Sequence, residues 1–390
     1  MGLFTAYHAS ERGARVVVLE RGRIGDPRTA SFGRTRSFRN DYLDATYTRL
    51  AHEAHRLWGE FELRTAASVL VRCGCLNIAK RSVTPELDAT YAEMSHRMLT
   101  GLGLRTEALD GDALRDRFPY LDADLGRLDV EAGVVDVAAA TGALTRALAE
   151  RGVETIEDVE TAAIARDGAA LRAITDTGEF VARSLVVTAG HGTNDVLSRL
   201  PGCGLQVPIT KDRPSDARYF SPPADARERF TADAMPVIAY LDTGVYCHPI
   251  VDGVVDAVKI GFYNPPDMPR GATGVDGIDG IDSFIAQCMP GLRDATVRPV
   301  DDVDQCDYDL VADDDFVLGP IPGVANAFVG VGWRGTGYKF APWVGRVLAE
   351  LALQDGTVYD VGRFDPARFD QRKEARHEPA LAEDPAAAPR

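Results

Sequence analysis

Gly2-Leu-Phe-Thr-Ala-Tyr-His-Ala-Ser-Glu-Arg-Gly13, followed by Ala14-Arg-Val16-Val-Val-Leu19-Glu20, is the stretch that decides the fold. Leu3, Phe4, Ala6, Tyr7 and Ala9 fall on one face of a helix, and Gly13 is a natural stop because it tolerates the left-handed backbone a helix end requires. Val16 to Leu19 is a short unbroken apolar run, the pattern of a parallel strand buried on both faces. Helix, glycine turn, buried strand and terminal acid make the second half of a dinucleotide-binding βαβ unit. An ordinary helix–strand pair has the same pattern.

Such a unit normally opens with a strand and then Gly-x-Gly-x-x-Gly. Gly2 fits the last of those glycines, and Glu20, 18 residues on, stands where an acid contacts ribose hydroxyls. The preceding strand and the two glycines that approach the pyrophosphate do not appear. A strand like Val16–Leu19 with one neighbour missing leaves unpaired edge groups. The expectation is therefore that the fold starts upstream of Met1 or that the chain is cut short there. A chain beginning at Met1 is expected to bind dinucleotide weakly.

Working outward, residues 43–63 carry Leu50, Ala54, Leu57, Trp58 and Phe61 at helical spacing, and residues 138–151 form another amphipathic helix. Short strands follow between Val153 and Thr188, with Ala182–Gly190 reading as a buried strand that runs into a glycine turn. Segments 235–241, 244–250 and 255–263 alternate, which predicts a half-exposed antiparallel sheet. Residues 316–331 read as two strands joined by Gly319-Pro-Ile-Pro-Gly323, and the Gly-rich loop 332–337 leads into a helix over 341–353. The fold class is α/β, a Rossmann-like dinucleotide domain interleaved with an antiparallel-sheet domain. The first comprises 1–70, 129–205 and 300–370; the second, 71–128 and 206–299. Residues 371–390, charged and then Ala/Pro-rich, read as a disordered tail.

With 390 residues the chain can bury a sizeable core. A net charge of −16 disfavours nucleic acid and anionic lipid as partners. No apolar run reaches the roughly 20 residues a membrane helix needs, and no secretory signal opens the chain. The six cysteines are dispersed and show no zinc spacing, so reduced thiols, a cytoplasmic location and no metal are expected.

Four segments in order carry a more specific signal: Thr35-Arg36-Ser37-Phe38-Arg39 with Tyr42; Lys259-Ile260-Gly261; Cys306-Asp307-Tyr308 before Asp315-Phe316-Val317; and Gly335-Thr336-Gly337-Tyr338-Lys339-Phe340. In order and spacing they resemble the monomeric sarcosine oxidase and N-methyltryptophan oxidase family of D-amino-acid-oxidase-like flavoproteins, from Gly2 to about Phe369.

The resemblance implies FAD, an amine or amino-acid substrate, O2 as acceptor and a monomer. It places Lys259, Arg36, Arg39, Lys339 and Tyr308 at the reacting centre, and Gly2, Glu20, Thr35, Arg36, Val159, Cys306, Gly335, Gly337 and Lys339 around the cofactor. Arg39 and Lys339 would hold the substrate carboxylate, a planar fork plus a point charge. Cys306 would carry flavin through a thioether, with Tyr308 on the same strand face. Lys259 would promote the reaction with oxygen, and Thr35 would touch phosphate. Without the family, Arg39 equally reads as a surface arginine, Cys306 as a buried structural thiol, Lys259 as a solvated strand residue and 332–337 as a plain turn.

Two pocket positions depart from the pattern. Tyr263 stands where those enzymes carry histidine, and Cys247 or His248 stands near their pocket tyrosine. Lys211 to Phe220 matches poorly. These changes leave the chemistry in place and the substrate open, with a cyclic imino acid as suitable as sarcosine. A dehydrogenase using an electron carrier, an inactive paralogue and an NAD(P)-dependent reductase are the rival readings; Cys306 and Lys339 speak against the last.

Overall fold

The computed structural model describes residues 1–212, 217–262, 280–299, 307–354 and 356–370. Cys306, Tyr263 and the segment 371–390 lie outside the described residues, and so does the expectation attached to each.

Helix Gly2–Glu11 forms as its apolar pattern requires, and Gly13 ends it with φ +79. Strand Val17–Leu19 follows and pairs in parallel with Glu154–Ile156. The expectation that this strand is buried on both faces is not met: all three residues are half-buried. The reason is topological. Its other edge faces a cleft rather than a third strand. Helix Ala45–Thr65, capped by Asp44, and helix Val137–Glu150, capped by Asp136, match their sequence signals to within a turn. Trp58 and Phe61 of the first pack with Phe4 and Tyr7 into one apolar cluster that seats the N-terminal helix.

A second parallel pair, Leu185–Val187 with Ala327–Val331, is extended by an antiparallel hairpin to Val317–Pro320. Helix Ala341–Gln354 lies against this piece and against the N-terminal helix. Gly345 permits that approach, because a Cβ there would stand 2.5 Å from Phe4.

The largest sheet has eight strands, ordered Thr296–Val297, Arg218–Ser221, Val258–Phe262, Val245–His248, Val237–Tyr240, Cys75–Ala79, Leu125–Asp129 and Glu107–Asp110. The predicted segments 235–241, 244–250 and 255–263 supply three neighbouring antiparallel strands of it. They are buried on both faces rather than half-exposed. One face, with Leu76, Ile78, Leu128, Ile238, Val258 and Ile260, joins a large apolar core. The other, also largely buried, mixes apolar Cys75, Val237 and Ala239 with polar side chains, and helix Tyr91–Gly101 packs over part of it. Because side chains alternate along a strand, cross-strand register fixes what this second face carries. Tyr219 pairs with Lys259 and Lys259 with His248; Tyr246 pairs with Gly261 and Ala239; Asn77 pairs with Ala239 and Arg127.

Candidate active site

A cleft of about 2000 Å³ runs from the end of strand Val17–Leu19 to the Gly-rich loop. Gly2, Glu20, Val159, Arg36, Tyr308, Gly335 and Gly337 all line it. At one end Glu20 accepts from the Gly22 backbone N–H at 2.9 Å. At the other, close packing leaves room only for glycine. A Cβ on Gly335 would meet the Tyr308 ring at 2.5 Å, and one on Gly337 would meet Trp333 at 2.4 Å. Gly2 has the same character, since its Cβ would stand 2.7 Å from the Thr188 hydroxyl. This glycine-lined channel, with an acid at one end and a helix start at the other, fits an extended dinucleotide such as FAD.

Arg39 and Lys339 are brought together around one ring. The Arg39 guanidinium lies 5.1 Å from the Tyr42 ring centroid and the Lys339 ammonium 5.8 Å from it. Arg39 is 4% exposed, which disposes of the surface-arginine alternative. Its NH1 donates to Asp41 Oδ1 at 2.6 Å and to the Asp41 carbonyl at 2.7 Å. Lys339 is also buried and donates to the Thr336 carbonyl at 3.2 Å. Burial, and next the charge of Arg39, push the Lys339 pKa well below its usual 10.5, while Asp41 pulls it back up.

Lys259 is 2% exposed, so the solvated-strand alternative also falls. Its ammonium lies 5.9 Å from the Tyr246 ring centroid. His248 is its direct cross-strand partner, and His248 Nδ1 is 2.8 Å from the Thr35 hydroxyl. Thr35, expected at phosphate, is fully buried with its hydroxyl on that imidazole and is not among the residues lining the cleft. Arg36 donates to the carbonyls of Thr35 at 3.2 Å and of Phe32. It curls over Gly33, which fixes the loop before the strand Thr35–Phe38. Of the two candidates for the departure at 247–248, Cys247 points into the apolar core with a thiol raised well above 9 by burial, which leaves His248 and its neighbour Tyr246 on the opposite face of the strand.

Several buried polar residues escape sequence reasoning: Asp41, Asn77, Arg127 and Asp129. Asp41 accepts from Arg127 NH2 and, at 3.3 Å, from Asn77, while Asp129 accepts from the Asn40 N–H at 2.9 Å. Burial pushes the Asp129 carboxyl upward. The available signal was a period-two one: Asn77 interrupts an apolar strand, and Arg127 and Asp129 alternate with Gly126 and Leu128. Among the described residues no cluster could hold a metal ion, and no helix is long and apolar enough to cross a membrane.

Comparison with known proteins agrees with this geometry. The family model described as FAD dependent oxidoreductase (DAO) matches residues 1–351. Peroxisomal sarcosine oxidase of Homo sapiens is 27% identical over 382 residues, covering 94% of this chain and 93% of the human protein. N-methyl-L-tryptophan oxidase of Yersinia pestis is 25% identical, covering 95% and 96%. The crystal structure of L-proline dehydrogenase from P. horikoshii superposes with a TM-score of 0.76 over 95% of each chain, at 18% identity, which speaks to the fold alone. The match over nine-tenths of the sequence and the glycine-lined channel together place this chain in the DAO family of FAD-dependent oxidoreductases.

Proposed function

We propose that the chain oxidises the carbon–nitrogen bond of an N-methyl or cyclic amino acid to an imine, with O2 taking up the electrons as hydrogen peroxide. The observation that carries this reading is the pair of buried cations, Arg39 and Lys339, 5.1 and 5.8 Å from the Tyr42 ring centroid, with Lys339 following Gly337 and Tyr338 of the cleft wall. FAD, when bound, supplies the two-electron acceptor. Residues around Glu20, Val159 and Gly2 hold its nucleotide end, and the Gly335–Gly337 loop with Tyr308 holds its other end. The two sheet layers then serve as cofactor and substrate domains.

Arg39 and Lys339 bind the substrate carboxylate and so fix the carbon next to nitrogen in place. Lys339 binds it only when protonated, which burial and Arg39 oppose and the incoming carboxylate favours. Buried Tyr219 and Tyr308, with half-buried Tyr246 packed beside them, exclude water from the reacting bond. Lys259 holds a fixed positive charge where electrons reach O2, which stabilises negative charge developing on oxygen. The substrate gives up a hydride and a proton, O2 takes two electrons and two protons, and the imine hydrolyses after release. We further propose a monomer and a cytoplasmic location.

A panel of N-methyl and cyclic amino acids assayed for peroxide tests the reading. Turnover of one of them with equimolar peroxide supports it. Turnover only with an artificial carrier under argon reassigns the protein as a dehydrogenase. Protein that stays colourless after incubation with FAD overturns the scheme.

A further inference from the structure

Behind the carboxylate clamp lies a second layer of buried charge. Asp41 is fully buried and accepts from Arg39 twice, at its side chain and at its carbonyl. Its other carboxylate oxygen accepts from Arg127 and Asn77. Tyr91, at the start of the helix over the sheet, donates to the Asp41 carbonyl at 3.0 Å. Arg127 is 1% exposed, and its Nε and NH1 have no partner among the described residues. None of Asp41, Asn77, Arg127 and Tyr91 lines the long cleft, and neither do Arg39 and Lys339, so the cluster sits with the clamp and apart from the nucleotide channel.

The electrostatics require such a group. Arg39, Lys339 and Arg127 are three buried cations in one region, and like charges in a low-dielectric interior repel strongly. Burial alone would raise the Asp41 carboxyl, but Arg39 and Arg127 outweigh it and hold it below its usual value, so it is ionised. A long arginine side chain is useful for recognition only if its plane is set beforehand. Two acceptors on NH1, one from a backbone carbonyl and one from a braced carboxylate, set that plane.

We propose that Asp41, braced by Arg127 and Asn77, is a positioning residue that pre-orients Arg39 to receive the substrate carboxylate. This rests on the clamp reading above. The test titrates acetate into the full-chain holoenzyme, follows the visible absorbance of the bound flavin, and uses acetamide as the uncharged control. Asp41→Asn is expected to weaken acetate about tenfold or more, the scale of a lost hydrogen bond to a charged group. The flavin spectrum without acetate should stay unchanged. In an Arg39→Met background the same change should add nothing, because its effect passes through Arg39. Where Asp41→Asn alone does not fold, Asp41→Asn/Arg127→Met removes the orphaned charge and carries the test.

Equal loss from Asp41→Asn with and without Arg39 would make Asp41 merely structural and overturn the proposal. Wild-type acetate affinity in both Asp41 variants, with affinity lost in Arg39→Met, overturns it and leaves the clamp standing. Wild-type affinity in Arg39→Met overturns the clamp and the proposal together.

Discussion

Thr35 and His248, 213 positions apart, are joined by a buried 2.8 Å hydrogen bond between the hydroxyl and Nδ1. That contact ties the strand leading to Arg39 to the strand facing Lys259, so the two halves of the site are held by one pair. Replacing His248 with Phe leaves the Thr35 hydroxyl buried without this partner. The expected cost is about 1–3 kcal/mol of stability. The reoxidation rate by O2 should fall with little change in anaerobic flavin reduction by substrate, since the change lies beside Lys259. Stopped-flow measurement of the two half-reactions checks it, and an equal loss in both would remove His248 from the oxygen side.

Gly335 has φ +71, and a methyl group there would strike the Tyr308 ring. Gly335→Ala therefore meets both backbone strain and a clash in a loop proposed to hold the flavin. A loss of about 1–3 kcal/mol is expected from the strain alone, with a matching fall in the fraction of protein purified with FAD. Flavin content measured against protein absorbance decides it.

Lys339 gives the clamp a pH limit. Its folded pKa is depressed, so the cation is lost as pH rises through a value well below 10.5. Carboxylate affinity should be constant below that value and fall about tenfold per pH unit above it. Arginine stays charged throughout this range. Lys339→Arg should thus abolish the alkaline limb, even where its shape weakens binding at neutral pH. Acetate dissociation constants for both proteins across pH 6 to 10 provide the comparison; limbs that coincide would place the titration elsewhere.

Asp242 offers a stability test away from the clamp. Burial raises its carboxyl from 3.8 to about 6, and it accepts from the Tyr91 N–H at 2.8 Å while its other oxygen lacks a partner among the described residues. A raised acid pKa means that the folded state binds the proton more tightly than the unfolded state. Stability from the neutral form is fully present below about pH 4 and lost as pH rises through about 6. Asp242→Asn keeps the acceptor and removes the charge. It should raise the melting temperature at pH 8, by about 1–3 kcal/mol of stability, and do so much less at pH 5. Equal gains at both pH values would argue against ionisation as the cause.

How much of this was legible in sequence depended on whether local pattern or distant pairing decided the outcome. Helix Ala45–Thr65 announced itself by its apolar stripe, and Gly13 as the stop of the first helix, whereas the Asp44 cap emerged only from the structure. Lys259 and Lys339 were conspicuous as lone cations among apolar neighbours, and both are buried. Asp41 was not, because an acid two residues after an arginine is usually a solvated pair. Only the sheet register brings Asn77 and Arg127 to it. The Thr35 contact was hidden for the same reason: its partner His248 is supplied by a strand that no local pattern links to it.

The strands themselves yield the last prediction. Among the described residues Val17–Leu19 pairs only with Glu154–Ile156, and Leu185–Val187 only with Ala327–Val331. Both line the same cleft, under helix Gly2–Glu11, and among the described residues no strand connects them. Two parallel edges facing one slot can each accept backbone hydrogen bonds from an inserted strand. A segment of about five β-branched apolar residues ending in Gly-x-Gly, fused before Met1, has the length of an ordinary strand. Each apolar side chain it buries contributes about 1.5–3 kcal/mol against about 1–2 kcal/mol of backbone ordering per residue. The fusion should raise the melting temperature by several degrees and tighten FAD, while a Gly/Ser segment of equal length should do neither. If calorimetry finds the two fusions alike, the slot does not take a strand, and the facing edges are satisfied in some other way.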